Sequence, residues 1–347
     1  MTTDLITIDG SMGEGGGQIL RSCLSLALCT GRPVRITNIR KARKRPGLAR
    51  QHLVAVKAAA RVGRGHVEGA ALGSRELTFV PSAVEAGDYA FSIGSAGSTG
   101  LVLQTILPAL LTAAGPSRLR LEGGTHNPLA PSFDFIDLAF APLIRRMGPR
   151  VVLRLERPGF YPRGGGVVHV DIEPVEHLRP FELLERGPVL ELDATAMVAN
   201  LPMHIAQREL QVIGDALQLA PESLAARRIE GAVGPGNAVT VVVRSERVTE
   251  VFSGFGTRGV PAERVAGRVV DQVQRYLTAD VAVGVHLADQ LLLPLALAGG
   301  GCYSTLSPSR HATTNVQVIE RFLGVRVQVG QTDRGAWKIA LVRVDDP

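Results

Sequence analysis

One pattern recurs three times along the chain and constrains its fold more than any other feature. An apolar helix ends at a glycine, a strand and a loop follow, then a second helix with its own closing glycine and another strand. The first copy predicts helix 18–30 closed by Gly31, strand 33–38, helix 50–61 before Gly63, and a strand from His66. The second predicts helix 98–114, Gly115, strand 118–122, loop 127–131, helix 133–147, Gly148 and strand 150–155. The third predicts helix 287–298, glycines 299–301, strand 302–306, loop 307–314, helix 315–323, Gly324 and strand 325–329. A glycine just past an apolar helix is the usual C-terminal stop, because it alone takes the left-handed conformation at no steric cost.

The spacing of the copies locates an insertion. Gly31 and Gly115 are 84 residues apart, whereas Gly115 and Gly301 are 186 apart, an excess of 102 residues and the size of a small domain. The expected architecture is α/β (α+β). A large domain of three β-sheet/two-helix repeats spans 1–185 plus 280–347, and a smaller α/β domain over 186–279 is inserted into it. Within the insertion the pattern predicts strand 189–192, helix 204–219, strand 239–243 and helix 262–277.

Charge narrows the partner. The net charge is +6, and between Arg32 and Arg50 lie eight basic residues and no acidic one, as expected of a protein that meets a polyanion. Aromatic residues make up only 4%, which argues against a surface that stacks many bases. The three cysteines, Cys23, Cys29 and Cys302, show no metal-ligand spacing and fit a reduced, cytoplasmic protein. Residues 1–17 lack the basic and apolar regions of a signal peptide, and neither 101–114 nor 281–298 reads as a membrane span.

Four segments carry residues suited to chemistry. Asp9-Gly-Ser-Met-Gly-Glu-Gly-Gly-Gly-Gln18 joins a strand to a helix, either as a phosphate-binding loop on the helix N-terminus or as a tight structural turn. Glu14 within it is either a magnesium ligand or a solvated carboxylate favoured near a helix start. Arg40 and Arg43 lie in the basic loop and Gln51 begins the next helix, whereas Arg21, one turn into the first helix, is placed to face solvent. In Ser307-Pro-Ser-Arg-His-Ala-Thr-Thr-Asn315, His311 precedes a helix in a polar loop, either as a nucleophile toward phosphorus or as a surface histidine. His286-Leu-Ala-Asp-Gln290 opens a third-repeat helix, where Asp289 and Gln290 either cap it or bind ribose hydroxyls. Gln104 holds the place in the second repeat that Gln290 holds in the third, eleven residues before the closing glycine.

Taken together, Gly13-Glu-Gly-Gly-Gly-Gln-Ile-Leu-Arg21, Arg50-Gln-His52, Gly94-Ser-Ala-Gly-Ser98, Gly159-Phe-Tyr-Pro-Arg-Gly-Gly-Gly166, Leu287-Ala-Asp-Gln290 and His311 resemble the RNA 3′-terminal-phosphate cyclases over nearly the whole chain. The resemblance implies a three-repeat fold with one inserted α/β domain. It also implies ATP-dependent conversion of an RNA 3′-phosphate to a 2′,3′-cyclic phosphate through histidine–AMP and RNA-(3′)pp(5′)A intermediates. By position, His311 matches the nucleophile and Glu14 the ligand for Mg²⁺ or Mn²⁺. Arg21, Arg40, Arg43 and Gln51 match residues around the phosphates and RNA end. Gln104, Pro131, His286, Leu287, Ala288, Asp289 and Gln290 match the ATP site. The implied partners are ATP and RNA ends bearing a terminal phosphate, with no membrane and no obligate protein partner. His286 departs from the family, which carries tyrosine there. Two alternatives stand beside this reading: a ribosome-assembly relative of the same fold lacking the histidine, and enolpyruvyl transferases, which share the repeat type but have no histidine–AMP chemistry.

Overall fold

The computed structural model describes residues 4–332 and 335–344. The first repeat comprises β1 (Ile6–Asp9), α1 (Gly17–Thr30), β2 (Val34–Thr37), α2 (Arg50–Val62), β3 (His66–Glu68) and β4 (Leu77–Val80). The second comprises β5 (Asp88–Ser92), α3 (Thr99–Leu110), β6 (Ser117–Gly123), a π-helical segment Phe135–Phe140, α4 (Ala141–Arg146), β7 (Arg150–Arg157) and β8 (Gly166–Glu173). The chain then lays down a short strand, β9 (Glu182–Leu183), and enters the inserted segment. That segment holds β10 (Val189–Ala199), α5 (His204–Leu217), β11 (Leu224–Ile229), β12 (Gly236–Ser245), β13 (Thr249–Phe255) and α6 (Ala262–Thr278). The third repeat resumes with α7 (Val285–Leu297), β14 (Gly300–Thr305), α8 (Arg310–Phe322), β15 (Val325–Gln331) and β16 (Trp337–Arg343).

The three repeats share one topology. Their sheets run β1-β2-β4-β3, β5-β6-β8-β7 and β9-β14-β16-β15, each with one parallel pair followed by two antiparallel pairs. The unit is therefore βαβαββ, two strands longer than the sequence pattern alone delineates. The inserted segment enters between the first strand and first helix of the third unit and forms a fourth sheet, β11-β10-β12-β13. Its strands β11 and β13 are not among the predicted elements. Leu224-Ala-Ala-Arg-Arg-Ile229 does not alternate cleanly between apolar and polar residues, and β13 follows β12 across a tight turn.

Each sheet buries one face. The strands of the repeats alternate buried and exposed positions, as in Ser117–Gly123, and the buried side chains join α1, α2, α3, α7 and α8 in one continuous core. A separate cluster, built on β10, β12, α5 and α6, fills the inserted segment. Helix α1 packs against α3 and α8, and α7 packs against α8, which gathers the N-termini of α1 and α8 on one side.

Two predicted helix boundaries are corrected. The expected helix 133–147 opens α-helical at Phe133, widens to a π-helical segment over Phe135–Phe140 and returns to α-helix at Ala141, beside Pro142, which has no N–H to close a regular turn. The expected loop 307–314 is short, because Ser309 accepts the Ala312 N–H at 3.0 Å and starts α8 at Arg310. His311 thus sits in the first helical turn, not in a loop.

The loop after β7 fastens the insertion to the second repeat. Phe160 is buried against Met197, Ala199 and Ala238, with its ring 5.5 Å from that of His126. Gly236 lies so close under Phe160 that any Cβ there would penetrate the ring. Gly236→Ala should therefore cost about 1–3 kcal/mol through overpacking, read as a lower urea midpoint.

Candidate active site

The glycine loop between β1 and α1 is shaped by its own short contacts. Ser11 donates to Asp9 Oδ1 from its backbone N–H (2.9 Å) and its hydroxyl (2.8 Å), and Gly13 and Gly15 take positive φ. Helix α1 then starts at Gly16 with no side-chain cap and no acidic residue in its first turn. Its first N–H groups consequently lack the usual carboxylate or hydroxyl partner and carry the positive end of the helix dipole, an arrangement suited to an anion.

Helix α8 is held against this loop. The Glu14 N–H donates to Thr314 Oγ1 at 2.9 Å, Arg310 donates to Gly13 O at 3.3 Å, and Ser22 Oγ donates to Asn315 Oδ1 at 2.6 Å. His311 is presented between them, with Nδ1 2.6 Å from Gln18 Oε1. An amide oxygen only accepts, so Nδ1 carries a proton, and in the neutral ring Nε2 then keeps the lone pair. The imidazole pKa is lowered, first by burial and then by the charges of Arg21 and Arg43. The ring is therefore neutral at pH 7, the form that attacks phosphorus.

Cations gather around it. Arg43 is ion-paired to Glu14 Oε1, while Glu14 Oε2 is buried without a hydrogen-bond partner, 3.8 Å from His311 Nδ1. Arg21 does not face solvent as its helical position suggests. It lines the site, and burial pushes its guanidinium down to about 10. Arg40 lies half-buried behind it and donates to Gly47 O at 2.8 Å.

His52 joins this group and has no counterpart among the predicted site residues. Burial and the charges of Arg21 and Arg40 push its pKa down to about 3. Its Nδ1 accepts the Ala49 N–H at 3.1 Å, which leaves the proton on Nε2, beside Gly17 at the head of α1. Gln51 supports the neighbouring segment, accepting the Ser98 N–H through Oε1 at 3.4 Å.

A cavity of about 520 Å³ opens beside His311, between α1, α3, α7 and β13. Gln104 and Gln290 meet in it through a short amide–amide hydrogen bond, and Pro131 and His286 stand on its wall. His286 has a lowered pKa, first from the surrounding protein and then from His311. Asp289 binds the Ser309 hydroxyl at 2.8 and 2.9 Å, tying α7 to the cap of α8, and burial pushes it up to about 7. Leu287 and Ala288 face the other way, into the core, and give no side chain to the cavity.

A family model described as RNA 3′-terminal phosphate cyclase matches residues 12–329. The chain belongs to this family. Among curated relatives, the RNA 3′-terminal phosphate cyclase of Koribacter versatilis is 51% identical, covering 97% of this chain and 95% of the relative. That of Ectopseudomonas mendocina is 49% identical over 98% and 99% of the two chains, and that of Salmonella typhimurium is 47% identical over 99% of each.

The geometry adds Gln18, Thr314 and Ser309 to the residues that arrange this cyclase-family site. Gln18 stands in the glycine-loop motif, but its partner lies 293 residues away, so no local signal assigns it a role. Among the described residues, no group of three or more His, Cys, Asp and Glu side chains stands together to hold a metal ion. Among the described residues, no helix is long and apolar enough to cross a membrane.

The far wall depends on Glu250 of β13, a fully buried side chain. It accepts the N–H of Gly284, the residue that caps α7, through a short hydrogen bond. Burial raises its pKa from 4.5 to about 8, so the folded protein binds the extra proton across that window. Stability should accordingly fall as pH rises through the window. Glu250→Gln should flatten this fall, most visibly above about pH 7, where Asp289 and Glu209 have largely titrated. Urea midpoints of the two proteins across the range provide the check.

Proposed function

We propose that the protein is an ATP-dependent RNA 3′-terminal phosphate cyclase that works through a covalent adenylate on His311. The observation that carries this reading is the His311–Gln18 contact, which holds the proton on Nδ1 and so leaves Nε2 of the neutral ring free beside a cavity and an uncapped helix N-terminus. In the first step, the Nε2 lone pair attacks the α-phosphorus of ATP. A P–N bond forms, the bond to the β-phosphate oxygen breaks, and pyrophosphate leaves. An oxygen of the RNA 3′-phosphate then attacks the same phosphorus, breaking the P–N bond and giving RNA-(3′)pp(5′)A. Attack by the vicinal 2′-hydroxyl on the 3′-phosphorus expels AMP and closes the cyclic diester. Adenylylation turns a poor phosphate leaving group into a good one.

The residues divide the work. Arg21, the Nε2–H of His52 and the head of α1 favour the anionic oxygens as charge develops. Arg40, Arg43 and Gln51 belong to the phosphate and RNA-end side. Gln104, Gln290, Pro131 and His286 receive the adenosine, with Asp289 and the backbone of Leu287 and Ala288 supporting that wall. Glu14, whose unpartnered buried oxygen suits a hard cation, would hold Mg²⁺ or Mn²⁺ together with phosphate oxygens. The ion would supply charge neutralisation at the phosphates. The protein would act in the cytoplasm without an obligate protein partner, its residues 186–279 forming a separate inserted domain.

ATP labelled at the α-phosphate tests the covalent step. Wild type should retain label in a linkage lost in acid and stable in alkali, and His311→Asn should retain none. Gln18→Ala should slow labelling about tenfold, one hydrogen bond's worth of orientation, with ATP affinity little changed. Equal labelling of wild type and His311→Asn contradicts the proposal. Arg40→Ala should slow transfer to RNA by roughly ten- to a hundredfold, the value of one charged hydrogen bond, and spare self-adenylylation.

A further inference from the structure

Several exposed arginines of this protein have acidic partners. Arg35 pairs with Glu76, Arg150 with Glu173, Arg154 with Asp171 and Arg208 with Glu263, at 2.6–3.0 Å. The segment 41–50 instead concentrates unpaired cations on one loop. Lys41, Lys44, Arg45 and Arg50 are all exposed, and among the described residues none of the four forms an ion pair. Asp9 lies within electrostatic reach of Lys41, and Glu14 is taken by Arg43.

The loop that carries these charges is held in place. Ile39 N–H donates to Arg75 O (2.9 Å), Gly47 N–H to Ile39 O (2.8 Å), Leu48 N–H to Ser74 O (3.0 Å) and Gly73 N–H to Leu48 O (2.8 Å). Asn38 and Arg40 both adopt left-handed backbone, with φ of 50° and 53°, a conformation that costs energy in non-glycine residues and persists where the surroundings impose it. Gly47, with φ of 79°, passes so close to Gly73 O that only glycine fits. Four unpaired cations are thus displayed on a fixed scaffold beginning at Arg40 and Arg43, and little ordering entropy is spent when an anion arrives.

We infer that Lys41, Lys44, Arg45 and Arg50 form a track for the sugar–phosphate backbone of the RNA strand immediately 5′ of its terminal phosphate. This rests on the reading that Arg40, Arg43 and Gln51 receive that phosphate. Residues 32–50 contain no aromatic side chain to stack a base, so the track recognises charge and not sequence. Its role is to gather RNA ends of any sequence and deliver their terminal phosphate to the site beside His311.

The test compares a dinucleotide and a ten-nucleotide RNA, each ending in a 3′-phosphate, with wild type and the triple variant Lys44→Ala/Arg45→Ala/Arg50→Ala. Wild type should show a lower KM for the longer RNA and a steeper loss of kcat/KM with salt. The triple variant should self-adenylylate at the wild-type rate and treat the dinucleotide as wild type does. Its KM for the ten-nucleotide RNA should rise about tenfold, and its log–log salt slope should become shallower by about 2, near 0.7 per lost phosphate contact on a single strand. A wild type that treats both lengths alike, or a variant that keeps the length preference, overturns the track. The wild-type comparison stands even if the variant folds poorly. Failure of wild type to take label from ATP overturns the underlying reading and the track with it.

Discussion

The structure turns on the junction of two helix N-termini from opposite ends of the chain. α1 begins without a cap at Gly16, and α8 begins at Ser309 with one. Among the hydrogen bonds spanning about 300 residues of sequence that join them are Glu14 to Thr314, Ser22 to Asn315, and His311 to Gln18. The first two fix the distance between the helices, and the third decides which imidazole nitrogen bears the proton. A helix dipole, a neutral imidazole and a half-buried arginine are thereby set around one small volume. None of the three could be placed by its own repeat alone.

The second wall of the site depends on the insertion. β13 contributes cavity-lining residues, and its Glu250 holds the Gly284 N–H at the start of α7, the helix that carries His286, Asp289 and Gln290. Asp289 in turn holds Ser309, the cap of α8. A chain of buried polar contacts therefore runs from the inserted sheet through α7 to the turn that presents His311. Because Glu250 and Asp289 both have raised pKa values from burial, alkaline conditions load this chain with charge it must solvate poorly.

Much of this was legible in the residues. Glycine punctuation delineates the three repeats and the size of the insertion, since helix stops are local events. Gly31 takes the left-handed cap conformation that the pattern requires, with φ of 69°. The glycine loop, the basic loop and His311 are visible as polar irregularities between periodic segments. What local pattern cannot supply is distance: that Gln18 meets His311, that Gln104 meets Gln290, or that Arg21 turns inward to a cavity assembled from elements far apart in sequence. His52 escapes for a related reason. Its Nδ1 serves an ordinary local capping contact, and only tertiary packing brings its other nitrogen to the head of α1. Leu287 and Ala288 show the complement, since residues within one motif can turn their side chains into the core.

Two histidines, His311 and His286, line the cavity, and only the first has its Nδ1 proton fixed by Gln18. Trypsin separates them, since cleavage after Arg275, Arg310 and Arg321 leaves His286 and His311 on different peptides. Mass spectrometry of a tryptic digest, made at alkaline pH after incubation with ATP, locates the adenylate directly. The account predicts AMP on the peptide beginning at His311, attached through Nε2. Adenylate on the His286 peptide, or on any lysine, would contradict it.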